Sequence, residues 1–322
     1  MSEIKLNIII LAAGFGKRLK SKKSKVVIDL VNKPVIHHLI DNIKDVIDPE
    51  NTYVIVGHKA EDVEKTISTK LRKANFVLQK EQLGTGHAVR QAQPYIKNFT
   101  NPTLILAGDV PLVTDGIIQD FYNYHTQTKS DLSVLTTNLS DPTGYGRIVR
   151  DEDSNSILKI VEERDANDKE KEINEINSGI YLINTSILFD LLQKITPDNN
   201  QKEYYLTDII KLAQEQRLNI QPFLFHEYEL LEGVNSRSDL VRIGKQIYKT
   251  AIEKHLENGV TIMDPTNTFI EPEVVIEKDV TIEPFVHIKG STIIREDSYI
   301  KSFSYLQDYE SKQGEIISRL PE

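Results

Sequence analysis

Apolar residues recur along this chain in two different rhythms. Over the first 235 residues, short unbroken apolar runs at 8–13, 52–56, 76–78, 103–107, 132–137, 179–183 and 220–225 alternate with segments of helical spacing. The runs have the length of strands, and the first of them, with three successive isoleucines, predicts a strand buried on both faces. Between them, 34–46 carries Val35, Leu39, Ile43 and Val46 behind Pro34, and 207–216 repeats the pattern, so both predict helices. Strands alternating with helices imply a mainly parallel sheet whose ligands gather outside the carboxyl ends of the strands.

From residue 236 the rhythm changes. Leu240, Ile243, Ile247 and Ala251 line one face of a helix predicted to open at a Ser236/Asp239 capping box and to close at Asn258-Gly259. Isoleucine then stands at 270, 276, 282, 288, 294 and 300, with Leu306 next, at a strict period of six. Val274, Val280, Val286, Thr292, Ser298 and Ser304 follow each column residue by four places. A six-residue period of this kind predicts a hexapeptide β-helix, here of about two coils, fading into a polar tail over 310–322. The expected architecture is an α/β, Rossmann-like domain with a mixed sheet over 1–235. A connecting helix over 236–258 and a short left-handed parallel β-helix over 259–322 complete it.

Composition narrows the class. With 322 residues, 39% hydrophobic and 27% charged, the chain can build about two cored domains. It has no cysteine, which excludes disulfides, thiolate catalysis and cysteine-zinc sites. No apolar run is long enough for a bilayer and residues 1–7 lack the features of a signal peptide, so a cytoplasmic location is expected. The net charge of -9 argues against nucleic acid as a partner. Against that background, residues 17–25 hold Lys17, Arg18, Lys20, Lys22, Lys23 and Lys25 and no acid. A local reversal of sign lets an acidic protein attract a polyphosphate.

The candidate chemistry follows the strand ends. Gly14 and Gly16 come straight after the first strand, where glycines let backbone N–H groups form a nest for phosphate; the plainer alternative is a lysine-rich surface loop. Gln79, followed by 82–87 (QLGTGH), offers an amide suited to the edge of a uracil ring. Asp109, after the run 103–107, is placed to hold Mg²⁺, which takes one or two protein oxygens and fills its other sites with phosphate and water; an Asp-initiated turn before Pro111 competes. Gly144 to Arg147, Glu162 and 175–179 (EINSG) could bond sugar hydroxyls and an acetamido group. Asn235 could equally be a helix cap. His58 and His87 are expected to be structural.

Taken together, the segments LAAGFGKR, QLGTGHA, GDVPL, GYGRI, IVEERDA, EINSGI, EYYLTDI and EGVNSR resemble, in order and spacing, a bacterial bifunctional family. That family is N-acetylglucosamine-1-phosphate uridylyltransferase/glucosamine-1-phosphate acetyltransferase, and the likeness runs from Ile8 to about Leu306. The resemblance implies that Leu11, Ala12, Ala13, Gly14, Gln79, Gly84, Thr85 and Gly108 contact the nucleotide, with Arg18 and Lys25 catalytic on its phosphates. It also implies that Gly146, Glu162 and Asn177 hold the amino sugar, that Asp109 and Asn235 hold Mg²⁺, and that UTP and N-acetylglucosamine-1-phosphate are the substrates. The resemblance also implies that such β-helices pack as trimers, so a homotrimer is one expectation, and the alternatives for so short a ladder are capping the catalytic domain or docking to a separate acetyltransferase.

The sequence also departs from the family. Lys17, Ser24, Ala107 and Ser178 stand where it usually has Thr, Pro, Tyr and Thr, and Ala107 lies beside Gly108-Asp109. The coils that carry the family's acetyl-transfer site are missing, and His287 comes too early in the ladder to replace its base. No acetyltransferase activity is therefore expected. The alternatives are a nucleotidyltransferase for another sugar phosphate or nucleotide, and a noncatalytic regulatory subunit.

Overall fold

The computed structural model describes residues 4–151 and 156–320. The first three residues of the amino-terminal segment and the last two of the expected polar tail lie outside it. The chain divides into two compact units, Met1–Arg237 and Ser238–Glu322. Among the described residues no helix is long and apolar enough to cross a membrane.

The first unit is built on a nine-stranded sheet. Its main path runs Ile220–Leu224, Leu132–Asn138, Glu175–Asn184, Pro102–Ala107, Asn7–Leu11, Thr52–Val56, Asn75–Leu78, and the hairpin Arg147–Arg150/Ile157–Val161 joins it through Glu175–Asn184. Every neighbouring pair along the path is parallel except the two made by Glu175–Asn184. The isoleucine run now has its explanation. Ile8 and Ile10 enter one core cluster with Val54, Leu104 and Leu106, while Ile9 enters the other with Tyr53, Ile55 and Ile105. Successive side chains of a strand point to opposite faces, so a strand covered on both sides must be apolar at every position. The helix expected over 34–46 ends earlier, at Val35–Asn42, because Ile43 leaves helical geometry at φ -114°, ψ 20°. The strand expected over 179–183 extends to Glu175–Asn184 through a register shift between Asn177 and Tyr181 that the apolar pattern does not reveal.

The second unit carries the long helix Arg237–Glu257 into the ladder. Two-residue and three-residue strands pair in parallel, Ile262 with Ile282 20 positions on and those that follow with partners 18 positions on, as Ile282 does with Ile300 and Ile288 with Leu306. Every column isoleucine from 270 to 300 is buried. The expected length is corrected: the ladder does not fade into a polar tail after Leu306. Ile316–Ile317 forms a further rung on Tyr299–Ile300, and Glu310 bridges Ile293. With Thr261–Ile262 as its first rung, the structure makes three coils and begins a fourth. The period fails because one residue is missing from the turn after Leu306, so the last partners are 17 apart, Ile300 with Ile317. Ser311, 4% exposed, then takes the column position, and its hydroxyl accepts the Arg295 N–H at 2.8 Å.

Candidate active site

The carboxyl ends of four adjacent parallel strands are tied together by their own backbones. Ala12 N–H donates to Ile55 at 2.9 Å, Gly108 N–H to Leu11 at 2.9 Å and Gln79 N–H to Val56 at 2.8 Å. The loops that leave these strands therefore open on one side. Gly14 and Gly16 do different work in the first loop. A Cβ on Gly14 would meet no atom within 4 Å, so the space beside it is open, whereas Gly16 has φ +59° and a Cβ there would lie 2.7 Å from the Lys25 Cβ. Gly16 thus lets Lys25 pass close to the loop.

A cavity of about 280 Å³ opens beyond these ends. Leu11, Ala13, Gly14, Gln79, Gly84 and Thr85, all expected at the nucleotide, line it together with Lys25 and Asp109. Ala12 and Gly108 do not line it. Ala12 is packed into the core and Gly108 is buried, where a Cβ would press on the Leu11 carbonyl at 3.1 Å. A second cavity of about 440 Å³ is lined by Gly16, Arg18, Lys25, Gly144, Glu163, Arg164 and Asn235. Lys25 stands on both walls.

The far wall of the first cavity comes from a distant segment. Gly84 adopts φ +111°, and a Cβ there would lie 2.5 Å from the Tyr204 carbonyl. Gly86 N–H donates to that same carbonyl at 2.8 Å, Tyr204 N–H donates to Leu83 at 2.8 Å, and the Thr85 hydroxyl accepts Leu206 N–H at 3.0 Å. The loop's glycines therefore let one backbone lie against another, and the contact sets Glu203 on the cavity wall. Phe15, Gln82 and Glu203 line the cavity without having been singled out for it by sequence. Phe15, 45% exposed and 4.9 Å from the His58 ring, could have been suspected as a large apolar residue inside a glycine loop.

Asp109 and Asn235 meet at Lys25. The Lys25 ammonium pairs with Asp109 Oδ2 and lies 3.4 Å from Asn235 Oδ1. The Asn235 orientation is fixed independently, because its Nδ2 donates to the Gly233 carbonyl at 3.3 Å. Gly233 packs close to the carboxylate, and Val234 N–H donates to the Asp109 carbonyl at 2.8 Å. A carboxylate oxygen and an amide oxygen thus converge on a cation. Hard oxygen donors of this kind suit Mg²⁺, and two protein donors leave most of its coordination to phosphate and water. Among the described residues no group of three or more His, Cys, Asp or Glu could hold a metal.

Gly146, Glu162 and Asn177 also come together. Asn177 N–H donates to the Gly146 carbonyl at 2.9 Å, and a Cβ on Gly146 would lie 3.7 Å from Glu162 Oε1. None of the three lines either cavity above, although their neighbours Gly144 and Glu163 do. Burial pushes the Glu162 carboxyl up from its ordinary range, the Thr207 hydroxyl bond at 3.1 Å opposes this, and Asp165, Asp208 and Glu203 add to it. Buried Arg147 clamps the adjoining loop: it donates to Glu163 at 2.7 Å and to the Tyr145 carbonyl, while Glu163 accepts Gly144 N–H at 3.1 Å.

Comparison with known proteins places this geometry in context. The family model described as Nucleotidyl transferase matches residues 7–229. A bifunctional protein GlmU from Alkaliphilus metalliredigens is 42% identical over 273 residues, covering 85% of this chain and 59% of its own length. That of Clostridioides difficile is 42% identical over 268 residues, covering 83% and 57%. The chain thus spans less than two thirds of these curated relatives. Among solved structures, a UDP-glucose pyrophosphorylase complexed with UDP-glucose aligns with TM-score 0.57 at 20% identity, over 77% of this chain and 99% of its own. HddC from Yersinia pseudotuberculosis aligns with TM-score 0.55 at 20% identity, over 75% and 99%. At that identity the two structures show a shared fold.

Proposed function

The chain belongs to the nucleotidyl transferase family, and from that premise we propose that it transfers UMP from UTP to N-acetylglucosamine-1-phosphate, releasing pyrophosphate. The observation that carries this reading is one cavity walled by the glycine loop, Gln79, Gly84, Thr85, Lys25 and Asp109. The choice of uridine and of the acetamido sugar is supported by the GlmU relatives at 42% identity.

A phosphate oxygen of the sugar attacks the α-phosphorus, and the bond to pyrophosphate breaks. A phosphate with a second pKa of about 6 is already mostly dianionic at neutral pH, so no general base is required. Catalysis then rests on alignment and on neutralising charge. Exposed Arg18, on the wall of the second cavity, draws the leaving pyrophosphate, and Lys25, shared by both cavities, neutralises the α-phosphate. Asp109 and Asn235 would hold Mg²⁺, which when bound would supply positive charge to offset that of the substrate phosphates. In the free protein the Lys25 ammonium satisfies those two oxygens itself, so substrate phosphate competes for Lys25 and releases them. Gly146, Glu162 and Asn177 are the residues proposed for the amino sugar.

Ala107 favours a second reading. It lies on the cavity wall with no ring to fill the space, which suits a different sugar phosphate or nucleotide. One assay tests both: pyrophosphate release from UTP with Mg²⁺ and either N-acetylglucosamine-1-phosphate or glucose-1-phosphate, repeated with dTTP. Rapid release with UTP and the acetamido sugar is expected. Faster release with glucose-1-phosphate or dTTP establishes the second reading, and none with any pair defeats both.

A further inference from the structure

The glycine loop carries one large apolar side chain, and it faces the cavity. Phe15 stands between Gly14 and Gly16, is 45% exposed and lines the space proposed for the nucleotide. Neither neighbour in the loop has a side chain to come between the ring and that space. A ring left this exposed gives only part of its area to the fold, and the rest is available to whatever enters the cavity.

The ring stands at one end. The sheet order puts Pro102–Ala107, which leads to Asp109, on one side of Asn7–Leu11, and puts Thr52–Val56 and Asn75–Leu78 on the other. The glycine loop divides in the same way. Gly16 packs against Lys25, the partner of Asp109, whereas the Phe15 ring centroid lies 4.9 Å from that of His58, with the two planes tilted by 38°. His58 follows Thr52–Val56 and donates its backbone N–H to the Ala13 carbonyl at 3.4 Å. The residue before it, Gly57, lies so close to Gln82 that a Cβ there would come within 2.7 Å of the Gln82 amide nitrogen. That nitrogen donates to the Gln79 carbonyl at 3.1 Å. Phe15 and His58 therefore stand with Gln82, at the end away from Lys25 and Asp109.

Chemistry separates the two ends of the cavity. The face of a phenyl ring is the negative side of its quadrupole, so it gains nothing from a phosphate, which belongs with the lysine. A planar base has a π-face of its own and stacks on an aromatic ring whatever groups its edge carries. We infer that Phe15 is a base-binding residue whose ring, braced by that of His58, stacks on the nucleobase. The inference rests on the proposal that this cavity receives the nucleotide. Because stacking reads the face of a base and not its edge, Phe15 adds affinity without choosing among bases.

The test is calorimetric binding of UTP, and of tripolyphosphate, which has no base, to the full chain with Mg²⁺ present. Phe15→Ala should weaken UTP binding roughly 10- to 100-fold, while tripolyphosphate behaves alike with both proteins. In pyrophosphate release the same variant should raise KM for UTP by that factor and leave kcat little changed, as loss of uniform binding does. Phe15→Trp gives a direct reading, because the chain has no tryptophan of its own. It should keep most of the UTP affinity, and its emission should be quenched by saturating UTP and not by tripolyphosphate. Should Phe15→Ala fail to fold, Phe15→Leu keeps the bulk without the π-face and should lose UTP affinity in the same direction. An unchanged UTP affinity without the ring, a tripolyphosphate affinity that falls as far as that for UTP, or an emission indifferent to UTP overturns the inference alone. A wild type that does not bind UTP overturns the nucleotide reading along with it.

Discussion

The two units of this chain solve burial in opposite ways. In the ladder, each turn repeats the same contact, so one column of isoleucines and one column of small or β-branched residues specify the whole structure. Past the first rung, each answers to a neighbour 17 or 18 positions away. In the first unit, strands distant in sequence share two cores on opposite faces of one sheet, and the polar residues collect where the strands end. Periodic structure draws its stability from contacts between nearest-neighbour repeats. A doubly covered sheet gathers its ligand-binding groups in one place, outside the carboxyl ends of its strands.

The contrast is sharpest for an interior substitution in the ladder. Ile288 is fully buried between Ile270 and Leu306, and Ile288→Ala should cost about 2–5 kcal/mol, since neighbouring rungs cannot close over the void. Hydrogen exchange should show loss of protection at the rungs on either side, with protection of Asn7–Leu11 unchanged. Uniform loss through both units would break the comparison. In the first unit the corresponding vulnerability lies at the strand end. Asp109→Ala removes the carboxylate that pairs with Lys25, and turnover in pyrophosphate release should fall roughly 10²–10³-fold with the melting temperature little changed. Near-normal turnover would remove Asp109 from the proposed chemistry.

Legibility followed the same division. The isoleucine column announced the ladder until one residue was lost after Leu306. Beyond that point Ser311 and Ile317 hold column positions that no fixed period reaches. The buried strands were legible because a strand covered on both faces has no polar positions to interrupt it. Glu175–Asn184 was read short because its first half is a polar segment carried into the sheet by pairing with Leu132–Asn138. The cavity lining was legible where glycines and charges mark loops. It was not legible where the contact is between backbones, as between Gly84 and Tyr204. Such contacts depend on which distant segment folds against which, and single-residue chemistry carries no trace of it.

Gly84→Ala turns that last point into a measurement of intermediate size. Positive φ disfavours any side chain by about 1–2 kcal/mol, and here the added carbon also strikes the Tyr204 carbonyl. Because that contact sets the far wall of the cavity, KM for the nucleotide should rise about tenfold or more, by the same 1–2 kcal/mol, with a smaller change in kcat. Equal losses in both parameters would mean that the loop acts in the transition state and not in binding.

The smallest expected effect concerns a half-buried carboxylate of the first unit. Asp208 opens the helix Asp208–Glu215, where the helix dipole favours negative charge, yet burial pushes its pKa up to about 6, with Lys211 opposing the shift and Asp165 adding to it. Burial therefore outweighs the dipole. Since the folded state holds this proton more tightly than the unfolded chain, the group's contribution is fully present below the ordinary carboxylate pKa of about 4 and is lost as pH rises through about 6. Asp208→Asn keeps the shape without the charge. It should raise the melting temperature slightly at pH 7, by about 1–2 °C after allowing for the dipole interaction that it forfeits. The gain should vanish by pH 4, where the wild-type carboxyl is already neutral. Melting curves taken at half-unit steps from pH 4 to pH 8 would show this as two lines that part between pH 4 and 6. Parallel lines would mean that solvent reaches Asp208 after all and that burial does not set its protonation.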